Sequence, residues 1–184
     1  MKSLSVFASA LVALTLLANP LAAKSDEHKK PAFNASWPKG RVTGFPIPRF
    51  VSLRSERANM RVGPSTDYPT KWVYSARGLP MEITEEYGNW RRVRDQDGAT
   101  GWMLAPLLSS KRTAVVGPWL DQPAALNERP RPKARMIARL SPKVRLDILD
   151  CDGNWCRVSL RDRHLWGFID QTLLWGVYPG ELID

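Results

Sequence analysis

The chain repeats itself at an offset of 65 residues, and that repeat limits the possible folds more than any other feature. Gly88-Asn89-Trp90-Arg91-Arg92-Val93 returns as Gly153-Asn154-Trp155-Cys156-Arg157-Val158, while Leu79, Met81 and Ile83 return as Val144, Leu146 and Ile148. A one-residue slip on either side aligns Met60 with Leu126, Pro64 with Pro130, and Gly101-Trp102-Met103 with Gly167-Phe168-Ile169. One small unit is therefore present twice. At roughly 60 residues a copy is near the lower size limit for folding alone, so packing between the copies stabilises both.

Within each copy, short apolar runs alternate with Gly, Pro, Asn and Asp, and no stretch sustains a helical period. The pattern predicts an all-β chain with strands over 57–62, 71–76, 79–87, 90–94, 100–104 and 112–116. Turn signals stand between them at Gly63-Pro64, Gly78, Gly88-Asn89 and Asp97-Gly98. We place the copies at residues 49–116 and 117–184.

Ahead of the repeat, residues 4–18 form an uncharged apolar run of signal-peptide length. Asn19 and Pro20 interrupt it and small residues follow at Ala22 and Ala23, so export with cleavage after Ala23 is expected. The other reading is an uncleaved anchor, because Ser3 to Ala23 could just span a bilayer that needs about 20 apolar residues. Residues 24–48, punctuated by Pro31, Pro38, Pro46 and Pro48, read as a flexible leader or linker. Nothing later in the chain resembles a transmembrane helix. Loss of Lys2 on cleavage lowers the net charge from +9 to +8. A basic exported chain favours anionic partners, such as cell-wall carboxylates, acidic glycans, phospholipid headgroups or acidic proteins, and export removes nucleic acid from consideration.

Cys151 and Cys156 sit where the first copy has Glu86 and Arg91, so one copy has cysteines in the places of opposite charges. Both pairs suit residues facing each other across a hairpin, and an exported chain meets oxidising conditions, which predicts a structural disulfide. Parity adds a condition. If Val144, Leu146 and Ile148 face the core, strict alternation puts Cys151 on the wrong side, so a bulge near Leu149 or Asp150 is required. A zinc site of the usual Cys/His type would consume both cysteines and both histidines, His28 in the leader included, so no metal and no cofactor is expected. His164 could approach Cys156 across neighbouring strands, but no orienting third group accompanies them. No catalytic residue is assigned, and a non-enzyme is expected.

Phe50-Val51-Ser52-Leu53, Ala58-Asn59-Met60-Arg61-Val62-Gly63-Pro64-Ser65, the Gly88 to Val93 run and Gly101-Trp102 together resemble a bacterial SH3-like (SH3b) domain. The second copy departs from that pattern at Leu126-Asn127-Glu128-Arg129-Pro130 and regains it at Cys151 to Val158 and at Trp166-Gly167-Phe168. The resemblance covers about residues 49–180. It implies two tandem small SH3-like β-barrels, binding rather than catalysis, and ligands such as cell-wall peptides or other proteins. The closing Trp175-Gly176-Val177-Tyr178-Pro179-Gly180 is similar to exported tandem proteins of Gram-negative bacteria, which implies the periplasm. The aromatic signature of eukaryotic SH3 domains is absent, so a proline-rich ligand is not implied.

If Val93 and Val158 are core, Trp90 points outward beside Arg92 and Arg94, and Trp155 points outward beside Arg157. An exposed indole next to guanidinium groups is a platform for an acidic ligand. The other reading is that each tryptophan covers the barrel edge under arginine stems. A second candidate is the acid-free stretch Arg129, Arg131, Lys133, Arg135, Arg139, Lys143 and Arg145, with Arg131, Lys133 and Arg135 as its ligand-binding centre; as a charge run it also reads as a solvated surface. The expected partner is a cell-wall or other anionic envelope polymer, or an envelope protein.

Overall fold

The first copy contributes β1 (Arg49–Leu53), β2 (Ala58–Arg61), β3 (Thr70–Tyr74), β4 (Pro80–Tyr87), β5 (Trp90–Arg94), β6 (Thr100–Leu104) and β7 (Leu108–Ser109) to one antiparallel sheet. Its strand order is β3-β2-β6-β5-β4-β1-β7. The second contributes β8 (Thr113–Val116), β9 (Ala124–Asn127), β10 (Met136–Leu140), β11 (Arg145–Asp152), β12 (Trp155–Leu160), β13 (Leu165–Asp170) and β14 (Leu174–Trp175). That sheet runs β10-β9-β13-β12-β11-β8-β14, the same path, with β15 (Leu182–Ile183) added beside β11. This computed structural model describes residues 36–160 and 163–184. The expected signal peptide, its cleavage site and the loop residues Arg161 and Asp162 lie outside the described residues.

Among the described residues the chain is all-β apart from short 3-10 turns, and the strands match the predicted ones with one correction. Thr113–Val116, placed by sequence at the end of the first copy, pairs with β11 and β14 and opens the second sheet. The boundary between the copies therefore falls before Thr113. Each sheet encloses its own core. Leu53, Met60, Met81, Ile83, Val93 and Met103 fill the first, and Leu126, Leu146, Ile148, Val158 and Ile169 fill the second.

The hairpins that carry the repeated motif show why each residue faces as it does. Along β5 exposure alternates, with Arg91 and Val93 buried and Arg92 and Arg94 exposed. Cys156 and Val158 occupy the buried positions of β12. The β11 to β12 register shifts between Ile148 and Asp150, which places the bulge at Leu149. That extra residue restores the parity that brings Cys151 opposite Cys156, and the two form a disulfide. The first copy carries the same irregularity between Ile83 and Glu85, which sets Glu86 opposite Arg91.

Each copy is sealed at this point by chain from outside its repeat. In the second, β15 pairs Ile183 with Cys151 and Leu182 with Asp152. In the first, the end of the leader folds over Glu86, in a turn closed by a bridge between Lys39 and Pro46. The Glu86 carboxylate accepts from the Val42 and Thr43 backbone N–H groups, the Thr43 hydroxyl at 2.6 Å and the Arg49 guanidinium at 2.7 Å. Gly40 passes so close that a Cβ there would collide with the Glu86 carboxylate. The part of the leader between residues 39 and 46 is thus packed against the first barrel rather than free.

Candidate ligand-binding site

The outer face of β5 is where sequence places the first platform, and its residues separate into two groups. Trp90 is half-buried and lines a groove of about 260 Å³ with Arg57, Asn59, Arg61, Thr66, Leu104 and Leu107. The strand order β2-β6-β5 explains the assembly, because β6 sets Arg61 and Arg92 on either side of Trp102. Arg61 donates to the Tyr68 carbonyl at 2.7 Å, whereas the Arg57 guanidinium has no partner among the described residues. An indole edge beside one engaged and one unengaged guanidinium offers stacking area and charge-assisted donors to a small acidic group. Pockets for drug-sized ligands run roughly 300–1,000 Å³, so this groove falls just below that range.

Arg92 shares the outer face but pairs with Glu85 at 3.3 Å on the surface. Arg94 has partners in both copies. It binds the buried Glu82 at 2.6 Å, and its guanidinium lies over the Trp175 ring at 5.2 Å. The other Glu82 oxygen accepts from the Tyr178 hydroxyl at 2.8 Å, and Phe50 packs on both Trp175 and Tyr178. Burial, then the Glu82 charge and hydrogen bond, raise the Tyr178 phenol far above its ordinary value, so it stays protonated as a donor. Arg94 therefore joins the copies through Glu82 and Trp175.

The second copy differs at the matching positions. Trp155 is half-buried opposite Asp170, and Arg157 is held by Asp150 at 2.5 Å. The positions matching Arg57, Asn59, Arg61 and Thr66 are Pro123, Ala125, Asn127 and Pro132, so neither arginine of the groove is repeated there.

The basic stretch also divides. Arg131 and Lys133 are exposed in the β9 to β10 connection. Arg135 grips Glu128 there with two hydrogen bonds of 3.2 Å, a pairing that lowers the carboxyl and raises the guanidinium. At the other end Lys143 reaches Asp97 at 2.7 Å, and Arg145 donates to the Arg77 carbonyl at 2.5 Å, both across the seam. None of these residues lines the Trp90 groove. Cys156, which sequence could bring near His164, is consumed in the disulfide. Among the described residues no cluster of histidine, cysteine or carboxylate side chains could hold a metal ion, and no helix is long and apolar enough to cross a membrane.

The family profile described as the bacterial SH3 domain matches residues 54–110 and again 121–176. The chain belongs to the bacterial SH3 domain family. No curated protein matches it. Among solved structures, an NlpC/P60 family protein from Bacillus cereus is 15% identical with a TM-score of 0.30, covering 68% of this chain and 55% of that one. NlpC1 from Trichomonas vaginalis is 12% identical with a TM-score of 0.32, covering 74% of this chain and 48% of that one. The chain thus spans about half the length of either neighbour. Arg57 and Arg61 were missed from sequence, although aligning the copies exposes them, since Pro123 and Asn127 stand in their places.

Proposed function

We propose that this protein is an exported, non-catalytic binding protein of the periplasm that holds cell-wall peptidoglycan, or a like anionic envelope polymer, in the Trp90 groove of its first barrel. The observation that carries this reading is Trp90 flanked by Arg57 and Arg61 in an open groove, with Arg57 unengaged among the described residues. Membership of the bacterial SH3 domain family supports binding as the role, and the disulfide fits an extracytoplasmic location.

Co-sedimentation with purified sacculi tests it. The protein should pellet at low salt and less at high salt, because exposed ion pairs are screened. Trp90→Ala should weaken binding by roughly 1–3 kcal/mol, while Trp155→Ala should leave it unchanged. Failure to pellet at low salt, or equal effects of the two substitutions, defeats the assignment.

A second reading, docking of another envelope protein, is favoured by β3. This strand forms one edge of the first sheet, and Trp72 and Val73 are 54% and 47% exposed. Such an edge can accept a strand from a partner, and a pull-down from envelope extract with Trp72→Ser as control separates the two readings.

A further inference from the structure

A larger cleft, of about 730 Å³, lies in the seam between the copies. Arg54 and Arg77 enter it from the first copy, Lys111 from the connection, and Arg145 and Arg163 from the second, against Asp147 as the one carboxylate among the described residues of its lining. We propose that this cleft is a second binding site, independent of the Trp90 groove, for a ligand carrying several phosphate groups.

The charge arrangement is what sets the cleft apart. Several arginines outside the cleft are paired with carboxylates, Arg92 with Glu85, Arg94 with Glu82, Arg112 with Glu181, and Arg157 with Asp150, and the Trp90 groove holds one guanidinium unpaired among the described residues, Arg57. Among the described residues of the cleft, Lys111 alone has such a partner, Asp147 at 2.6 Å. Arg145 binds a carbonyl, and the Arg54, Arg77 and Arg163 guanidinium groups have no partner among the described residues. Packing of the two barrels therefore gathers like charges that repel unless an anion joins them.

Size and charge density then select the ligand. The volume falls within the range of roughly 300–1,000 Å³ usual for small-ligand sites, and it exceeds what a single inorganic anion fills. A phosphate monoester brings about 1.5 to 2 negative charges at neutral pH and three acceptor oxygens, so two such groups match the cationic excess, where a carboxylate ligand would need about twice as many groups. The forked donors of four arginines suit phosphate oxygens, and Ser52, Ser109 and Ser159 line the same cleft as hydroxyl donors. The ligand could be the phosphorylated headgroup of an envelope lipid or a soluble polyphosphate. Because the cations come from both copies, binding would also clamp the seam.

The test is calorimetric titration of the mature protein with inorganic tripolyphosphate, with citrate in parallel, and flotation with vesicles carrying a phosphatidylinositol bisphosphate against vesicles of phosphatidylcholine alone. Tripolyphosphate should bind more tightly than citrate and should raise the melting temperature. Arg54→Gln and Arg77→Gln remove side chains with no partner to lose, and each should weaken binding by about 10-fold, the equivalent of one charge-assisted hydrogen bond. Trp90→Ala should bind tripolyphosphate as the wild type does, and the Arg54→Gln, Arg77→Gln double variant should still pellet with sacculi, so the two sites fail separately. Binding to the bisphosphate vesicles without binding to tripolyphosphate identifies a membrane headgroup as the source and supports the site. The proposal is overturned if neither binds, if citrate matches tripolyphosphate, or if the double variant, shown folded by circular dichroism, binds undiminished.

Discussion

The two barrels share a strand order and a bulge, and they differ where Glu86 faces Arg91 in one and Cys151 faces Cys156 in the other. A disulfide in that slot is self-sufficient, and the strand beside it is free to take β15. A buried carboxylate is not. The Glu86 side chain is wholly buried, Arg91 lies 3.7 Å away, and the rest of its bonding comes from Arg49, Val42 and Thr43. The same geometric position thus makes the first barrel depend on the leader that precedes it, while the second closes with a covalent bond. Buried charges are tolerated only when paired and hydrogen-bonded, and the leader turn supplies what the repeat itself lacks.

The sharpest way to break this comparison is Glu86→Ala. Removing one member of a buried charged network strands the other, so unfolding by urea should show a loss of about 3–5 kcal/mol, with the leader turn becoming accessible to protease. A loss under about 1 kcal/mol would mean that the leader holds without the carboxylate. Acid should do a milder version of the same thing. Burial alone would raise the Glu86 carboxyl, but the hydrogen bonds from Thr43, Arg49 and Val42 outweigh it and hold the group at about 2 against an ordinary 4.5. With the folded value depressed, the stabilisation is full above pH 4.5 and is lost as pH falls through 2, amounting to at most roughly 3 kcal/mol. Glu86→Gln should flatten the stability profile in that window. The second barrel has no titrating group in the matching slot, so it should contribute none of this dependence there.

Opening the disulfide comes next in size. The five-residue separation closes a short loop, so Cys151→Ala with Cys156→Ala should cost about 2 kcal/mol on the loop-entropy account. Mass spectrometry of the protein purified without reductant should find no free thiol. Equal losses from the two barrels' slots would erase the contrast between them.

How far the sequence reached follows from which signals were local. The repeat and strict parity were sufficient to locate the disulfide, the bulge at Leu149 and most strands, because both depend only on spacing along the chain. The placement of β8 was legible but misread. Residues 49–53 shifted by 65 fall at 114–118, over Thr113–Val116, which marks it as the counterpart of β1. Outward parity for Arg92 and Arg94 was also sound. That Arg94 meets Glu82 and Trp175, and that the basic stretch splits between a solvated hairpin and the seam, depends on how the barrels dock, which no local pattern encodes. The Trp90 groove lies between, because Arg57 and Arg61 reach it through the β2-β6-β5 order of the sheet.

The smallest expected effect concerns the cores. Met60, Met81 and Met103 of the first barrel stand where the second has Leu126, Leu146 and Ile169, and all six are fully buried. Methionine is unbranched and adapts to irregular space, whereas leucine and isoleucine fix fewer, better-defined rotamers. If the two sheets enclose the same space, Met60→Leu, Met81→Leu and Met103→Ile are nearly volume-conserving and should each change stability by less than about 1.5 kcal/mol. A triple variant carrying the second barrel's residues should then fold, with slower hydrogen exchange in the first core as the side chains lose freedom. If instead any one substitution costs more than about 3 kcal/mol, the first core has a shape that only methionine fills, and the likeness of the barrels ends at the backbone.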